Sequence, residues 1–134
     1  MSDDLYPPPD AEFSRKRSEL APDTSKAFAA FSKQVFADAA LPARTKQLIA
    51  VAVAHVTQCP YCIRGHTRGA LRAGASEAEI MEASWVAAEM RAGGSYAHSI
   101  LALSEMDRVG RGGILHGFRE TGGLDDSRAE PARP

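Results

Sequence analysis

Apolar residues recur along this chain at helical spacing, and nowhere do they alternate as a strand requires. A short helix is predicted over Phe13 to Leu20. Pro22 and Asp23 then interrupt the pattern, and Asp23 or Thr24 can cap the next helix. That second helix is predicted over residues 25–37, where Ala27, Phe28, Phe31, Val35 and Phe36 form a stripe expected to be buried. Leu41-Pro42 opens a third, with proline in its first turn. Leu48, Ile49, Val51, Ala52, Val53 and Val56 cover nearly all its sides, which predicts a central, well-buried helix. A fourth helix starts at Cys59-Pro60, continues to about Ala73 and stops at Gly74. Ser76-Glu-Ala-Glu79 has the form of a capping box, and the fifth helix continues through Ile80, Met81, Trp85 and Met90. Gly93 and Gly94 weaken it by about 1 kcal/mol each relative to alanine, so a kink or a close backbone contact is expected there. Tyr96 to Met106 is helical again. The expected fold class is all-α, an antiparallel helical bundle. The expected organisation is a flexible arm over residues 1–12, a helical domain over 13–108 and a mobile tail over 109–134.

Composition narrows the class. The chain has 134 residues, enough for one core, and its hydrophobic fraction of 44% is too high for a disordered chain. A formal net charge of −1 leaves no electrostatic footprint for nucleic acid or an anionic membrane. The start of the chain is acidic and proline-rich, unlike a signal peptide, and the apolar run from Leu48 to Val56 is too short to span a bilayer. A cytoplasmic protein is therefore expected, where a structural disulfide would be unusual. Two cysteines within one four-residue window then point to chemistry rather than stapling.

Those cysteines lie in His55-Val-Thr-Gln-Cys59-Pro-Tyr-Cys62-Ile-Arg-Gly-His66. If Pro60 opens a helix, Cys59 stands at its cap and Cys62 in its first turn, where free N–H groups and the positive dipole end stabilise a thiolate. The spacing suits a reversible disulfide. Cys62 and His66, four residues apart, share a helix face and can exchange a proton. Gln47, Val51, His55 and Cys59 also recur every four residues, a stripe aimed at the thiols; His55 then either relays protons or hydrogen-bonds in the core. Gln47 does not titrate and can only orient a neighbour. A zinc site built from both cysteines, His55 and His66 is disfavoured because no second cysteine pair exists, so neither metal nor cofactor is expected.

The run from Thr45 to His66, with Ala70 to Ala83 and Ala87 to His98 downstream, resembles the carboxymuconolactone decarboxylase and alkylhydroperoxidase D-like superfamily. The similarity covers about residues 24–106, and the cysteine pair followed by histidine resembles the peroxidase-like branch. It implies an all-helical fold assembled into trimers or hexamers, with thiol peroxidase or disulfide reductase activity. By position, Cys62 would be the peroxide-attacking thiolate, Cys59 the resolving thiol and His66 part of a proton relay. An external thiol reductant would complete the cycle. The chain departs from the family at Gln47, where a glutamate is common; His55 or Glu89 would have to substitute. His98 is a further candidate near that region.

Two other readings belong to different classes. Decarboxylation or lactone chemistry, as in the other branch of the superfamily, does not need Cys59 and Cys62. A non-enzymatic redox sensor or interaction module would use Met81, Trp85, Met90 and the glycine pair as a subunit seam, although core packing is the commoner fate of such residues. The row Arg64, Arg68 and Arg72 is either a solvated face or an attractor for an acidic substrate or protein partner.

Overall fold

A computed structural model describes residues 5–6 and 11–112. Five helices run in sequence: α1 (Ala11–Leu20), α2 (Pro22–Phe36), α3 (Ala43–Val56), α4 (Pro60–Arg72) and α5 (Glu77–Gly112), with no strand among the described residues. The all-α class read from the sequence holds. The chain divides into two units, residues 1–92 and 93–134. In the first, α1 packs on α2, α2 on α3, and α3 most extensively on α4.

The helix ends reflect local chemistry. Pro22 does not lie between helices as a spacer: it occupies the first turn of α2, where a missing N–H costs nothing. The α3 start is held by the Asp38 carboxylate, which accepts from the Ala43 N–H at 2.6 Å, and Lys46 Nζ donates to the Ala37 carbonyl at 2.6 Å. Both bonds pin the 37–42 link, and the first places negative charge at the positive end of α3.

α4 closes with the chain turning through Gly74 at φ +86°, a left-handed conformation that glycine adopts without strain. Gly74 N–H donates to the Leu71 carbonyl and Ala75 N–H to the Ala70 carbonyl, a Schellman pair that satisfies two orphan acceptors. The capping box forms as the sequence indicates. Glu79 N–H donates to Ser76 Oγ at 3.2 Å and Ser76 N–H to Glu79 Oε2 at 2.8 Å. Glu79 also pairs with Arg44 of α3. The Arg44 guanidinium, with the Ser76 N–H, holds the Glu79 carboxyl down at about 2.

The buried cluster is small. Val51, fully buried, meets Ala70, Ala75 and Ile80, with Leu48 and Ala83 packed against them. Alanine at these contacts lets the helices approach closely but contributes little apolar area each.

Several expectations fail here, among them the Asp23 or Thr24 cap: the N-cap of α2 is Ala21, with no side-chain cap. The α2 stripe is not buried: Phe28 is 69% and Phe31 64% exposed. α3 buries only Val51 and Ala54, while Ile49, Val53 and Val56 face outward. Met81, Trp85 and Met90 are likewise exposed rather than core, Trp85 at 71%. The reason is geometric: one face of each helix is all that a single chain of this size covers. Gly93 and Gly94, where a kink or close contact is expected, do not interrupt α5, which continues to Gly112. Among the described residues, nothing beyond the adjoining turns of its own helix lies within 4 Å of the space a Cβ on Gly94 would take.

In the second unit, Arg108 pairs with Glu105 and Arg111 with Asp107 along the surface of α5. Of the expected arm, Ala11 and Glu12 belong to α1; of the expected tail, residues 109–112 belong to α5 and 113–134 lie outside the described residues. No helix among the described residues is long and apolar enough to cross a membrane.

Candidate redox site

The two cysteines lie at the junction of α3 and α4, and the junction is built on an unusual turn. α3 ends through Gln58, which takes φ 55° without being glycine. Its N–H donates to the His55 carbonyl at 3.3 Å and the Cys59 N–H to the Ala54 carbonyl at 3.1 Å. This is the same Schellman closure used at Gly74, here held in the left-handed region by a residue that costs about 1–2 kcal/mol to keep there. The Gln58 amide, oriented with its oxygen toward Arg91 of α5, accepts from that guanidinium at 2.8 and 3.1 Å.

One residue later, Cys59 caps α4. Its Sγ accepts the Cys62 N–H at 3.3 Å, and Pro60 fills the first helical position. Cys59 and Cys62 are joined as a disulfide with Cα atoms 5.2 Å apart. Both residues are half-buried, so the pair is within reach of solvent. An N–H aimed at sulfur, at the positive end of a 13-residue helix, stabilises negative charge there once the bond is reduced.

His66 lies one turn beyond Cys62 on α4. Its Nδ1 is 2.9 Å from Gln47 Oε1 of α3, and its ring stacks on Phe36, the last residue of α2, with centroids 5.0 Å apart and planes at 28°. An amide oxygen can only accept, so Nδ1 carries the proton and donates it. In the neutral ring the lone pair is then on Nε2. Gly69 makes room for this arrangement: a Cβ there would stand 2.5 Å from Gln47 Oε1 and 2.8 Å from its Cδ.

Among the described residues the remaining candidates make no hydrogen bond to Cys59, Cys62, His66 or Gln47. His55 Nδ1 is bonded to the Val51 carbonyl of its own helix at 2.7 Å. Glu89 is exposed on α5 and makes no hydrogen bond or ion pair among the described residues. His98 is exposed in the second unit. Among the described residues no three histidine, cysteine or acidic side chains are grouped to hold a metal ion. Phe36 as a ring partner and Gly69 were not singled out from the sequence. A glycine in the interior of a predicted helix was a signal for the second; nothing in the pattern pointed to the contact made by the first.

Residues 22–105, which include the disulfide, His66, Gln47 and Phe36, match the model of the carboxymuconolactone decarboxylase family. The chain belongs to that family. A carboxymuconolactone decarboxylase family protein from Legionella pneumophila, solved in its apo form, superposes with a TM-score of 0.54 at 32% identity, over 59% of this chain and 70% of that one. A protein from Methanobacterium thermoautotrophicum gives a TM-score of 0.60 at 36% identity, covering 63% of this chain and 94% of the other. In sequence, the chain is 68% identical over 83 residues to "uncharacterized protein 4 in cox locus" of Paracoccus denitrificans, or 62% of this chain and 75% of that protein. An uncharacterized protein of Cupriavidus necator is 35% identical over 91 residues, 68% of this chain and 80% of its own length. Membership in the carboxymuconolactone decarboxylase family agrees with the resemblance read from the cysteine pair and its surroundings.

Proposed function

We propose that this family member is a thiol-dependent oxidoreductase of the peroxidase-like type, whose Cys59–Cys62 pair cycles between dithiol and disulfide. The observation that supports it best is the pairing of a solvent-reachable disulfide at a helix start with a histidine one turn away whose tautomer is fixed by Gln47. In the reduced protein, Cys62 gives its proton to His66 Nε2 and attacks one oxygen of a peroxide. The O–O bond breaks, Cys62 becomes a sulfenic acid, and the departing alkoxide takes the proton from the imidazolium as an alcohol. Cys59 releases its proton to His66 Nε2, neutral again, and as a thiolate supported by the Cys62 N–H attacks the sulfenic sulfur; the disulfide forms and the departing hydroxide takes that proton and leaves as water. Two electrons from an external thiol reductant regenerate the dithiol.

Gln47 favours a second reading within the same chemistry. A carboxylate at that position would accept from an imidazolium more strongly than the neutral amide does. That difference implies a slower peroxide step and a main activity in disulfide exchange. Lactone decarboxylation draws no support from the cysteine pair.

Assembly of several copies belongs to this proposal as well. Phe28 and Phe31 on α2, Ile49 and Val53 on α3, and Met81 and Trp85 on α5 all expose large apolar surface, which copies of the chain would remove from water. A mass near 14.3 kDa in sedimentation would count against assembly.

The deciding experiment is peroxide consumption with dithiothreitol as reductant, comparing the wild type with Cys59→Ser and Cys62→Ser. Turnover lost in both variants supports the peroxidase cycle. Absent wild-type turnover, with the cysteines still cycling between dithiol and disulfide, removes the peroxidase step and leaves the exchange reading. Cysteines that do not cycle at all remove both.

A further inference from the structure

The cycle above needs a reductant, and α4 carries a surface feature that the cycle itself does not use. Tyr61, Arg64, Arg68 and Arg72 succeed each other at three- and four-residue steps along one exposed face of the helix. The row begins between the two cysteines and extends about 12 Å from Arg64 to Arg72, at 1.5 Å per residue. Four of the six other arginines among the described residues are matched with carboxylates: Arg15 with Glu19, Arg44 with Glu79, Arg108 with Glu105 and Arg111 with Asp107; Arg91 meets the Gln58 amide instead, and Arg17 is exposed on α1. Arg64, Arg68 and Arg72 have no such partner among the described residues. Three uncompensated guanidinium groups therefore stand in line with the disulfide on a chain whose net charge is −1. The positive field is local to this face rather than a property of the whole molecule.

We propose that the outer face of α4 is the docking surface for the reductant, and that the reductant is a dithiol protein with an acidic surface around its thiols. This rests on the redox reading of the cysteine pair. A protein is favoured over a small anion because the charges are spread along a convex helix rather than gathered in a pocket. Tyr61, 41% exposed with Tyr6 edge-on against it at 6.1 Å, supplies an aromatic anchor beside the disulfide, and Leu71 adds apolar surface on the same face. An aromatic residue and arginines are the composition that dominates protein interfaces. In the docked pair, one partner thiolate attacks a sulfur of the disulfide and the other sulfur leaves as thiolate. The partner's second thiolate then breaks the mixed disulfide. Two electrons and two protons pass to Cys59 and Cys62, and the partner is left as the disulfide.

The test uses the oxidised full chain and two synthetic dithiol peptides with the same Cys-Gly-Pro-Cys centre, one flanked by glutamates and one by lysines. Each rate is normalised to that peptide's reaction with hydroxyethyl disulfide, which removes the effect of the flanking charges on thiol reactivity. At low salt the glutamate peptide is expected to reduce the wild type on the order of tenfold faster than the lysine peptide, and the advantage to fade at high salt. In R64Q/R68Q/R72Q the two peptides should come within about twofold, with the uncharged dithiothreitol rate unchanged. The single reversal Arg68→Glu should shift the preference toward the lysine peptide.

Equal rates for the two peptides on the wild type, or an advantage that survives in the triple variant, would overturn the proposal. So would an equal loss of rate with mercaptosuccinate, a small anionic thiol, because that marks a small-anion site. Failure of dithiothreitol to reduce the wild-type disulfide removes the underlying redox reading instead, which keeps the two failures apart.

Discussion

Gly69→Ala sets two effects of similar size against each other, and their balance tests how the histidine is held. Gly69 lies within α4, where replacing glycine by alanine favours the helix by about 1 kcal/mol. The added Cβ would stand 2.5 Å from Gln47 Oε1, closer than any real contact, so the Gln47 side chain must swing away and release His66 Nδ1. A half-buried neutral hydrogen bond contributes about 0.5–1.5 kcal/mol. In the wild type the two terms nearly cancel, and Gly69→Ala should leave stability within about 0.5 kcal/mol of its starting value. In a Gln47→Ala background the amide is already gone, and the same change should stabilise by about 1 kcal/mol. The coupling is then about 1 kcal/mol, well above the roughly 0.3–0.5 kcal/mol within which independent sites add. Urea unfolding of the four proteins at one protomer concentration measures it, with an unchanged m-value as the check that only stability has moved. The histidine supplies a second readout: its Nδ1 proton should exchange fast in Gly69→Ala and slowly in the wild type. Equal stabilisation by Gly69→Ala in both backgrounds would refute the reasoning, since the Gly69–Gln47 approach would then have no thermodynamic weight.

Three further outcomes are expected at other positions. Glu79 is held at about 2 by Arg44 and the Ser76 N–H, so its contribution is complete above its ordinary value of 4.5 and is lost as pH falls toward 2. Acid titration of stability should show this loss in the wild type, and Glu79→Gln should flatten that part of the curve. Gln58→Gly relieves the left-handed cost at φ 55° but gives up the contact with Arg91, so a net gain of about 0.5–1 kcal/mol is expected in thermal unfolding; a loss would mean the Arg91 contact outweighs the backbone strain. Gln47→Glu should raise the peroxide rate at neutral pH by about tenfold or more if His66 handles the proton, and an unchanged rate would remove His66 from the relay.

The helices, the capping box, the Gly74 stop and the cap position of Cys59 were legible because each depends on residues within a few positions of one another. The capping pair Ser76 and Glu79 needs only a three-residue spacing, and Pro60 marks the α4 start by lacking an N–H. Contacts between helices were not legible in the same way. The spacing of Gln47 from His55 suggested one stripe toward the thiols, yet Gln47 turns to His66 across the helix pair while His55 bonds back to Val51. Phe36 reaches the imidazole only because the 37–42 link folds α2 against α3, a geometry set by Asp38 and Lys46 rather than by any periodicity. The stripes on α2 and α3 were read correctly as apolar. What the pattern does not encode is whether the surface that covers them comes from the same chain.

The junction also explains why the two halves of the site are held so differently. The Cys59 N–H closes α3 on the Ala54 carbonyl while its Sγ opens α4 by accepting the Cys62 N–H, so one residue ends one helix and caps the next. Its position is fixed by backbone on both sides, with a three-residue link that leaves no slack. His66 is fixed by side chains, between the Phe36 ring and the Gln47 amide, in a space that exists because residue 69 has no Cβ. A sulfur that caps a helix has a stake in its own charge: a thiolate accepts the Cys62 N–H more strongly than a disulfide sulfur does. On reduction, a Cys59 thiolate would offset part of the constraint that the first turn of α4 loses when the bond to Cys62 breaks. The arginine row and His66 both extend from that turn, so the state of the sulfurs bears directly on how firmly the rest of the site is presented.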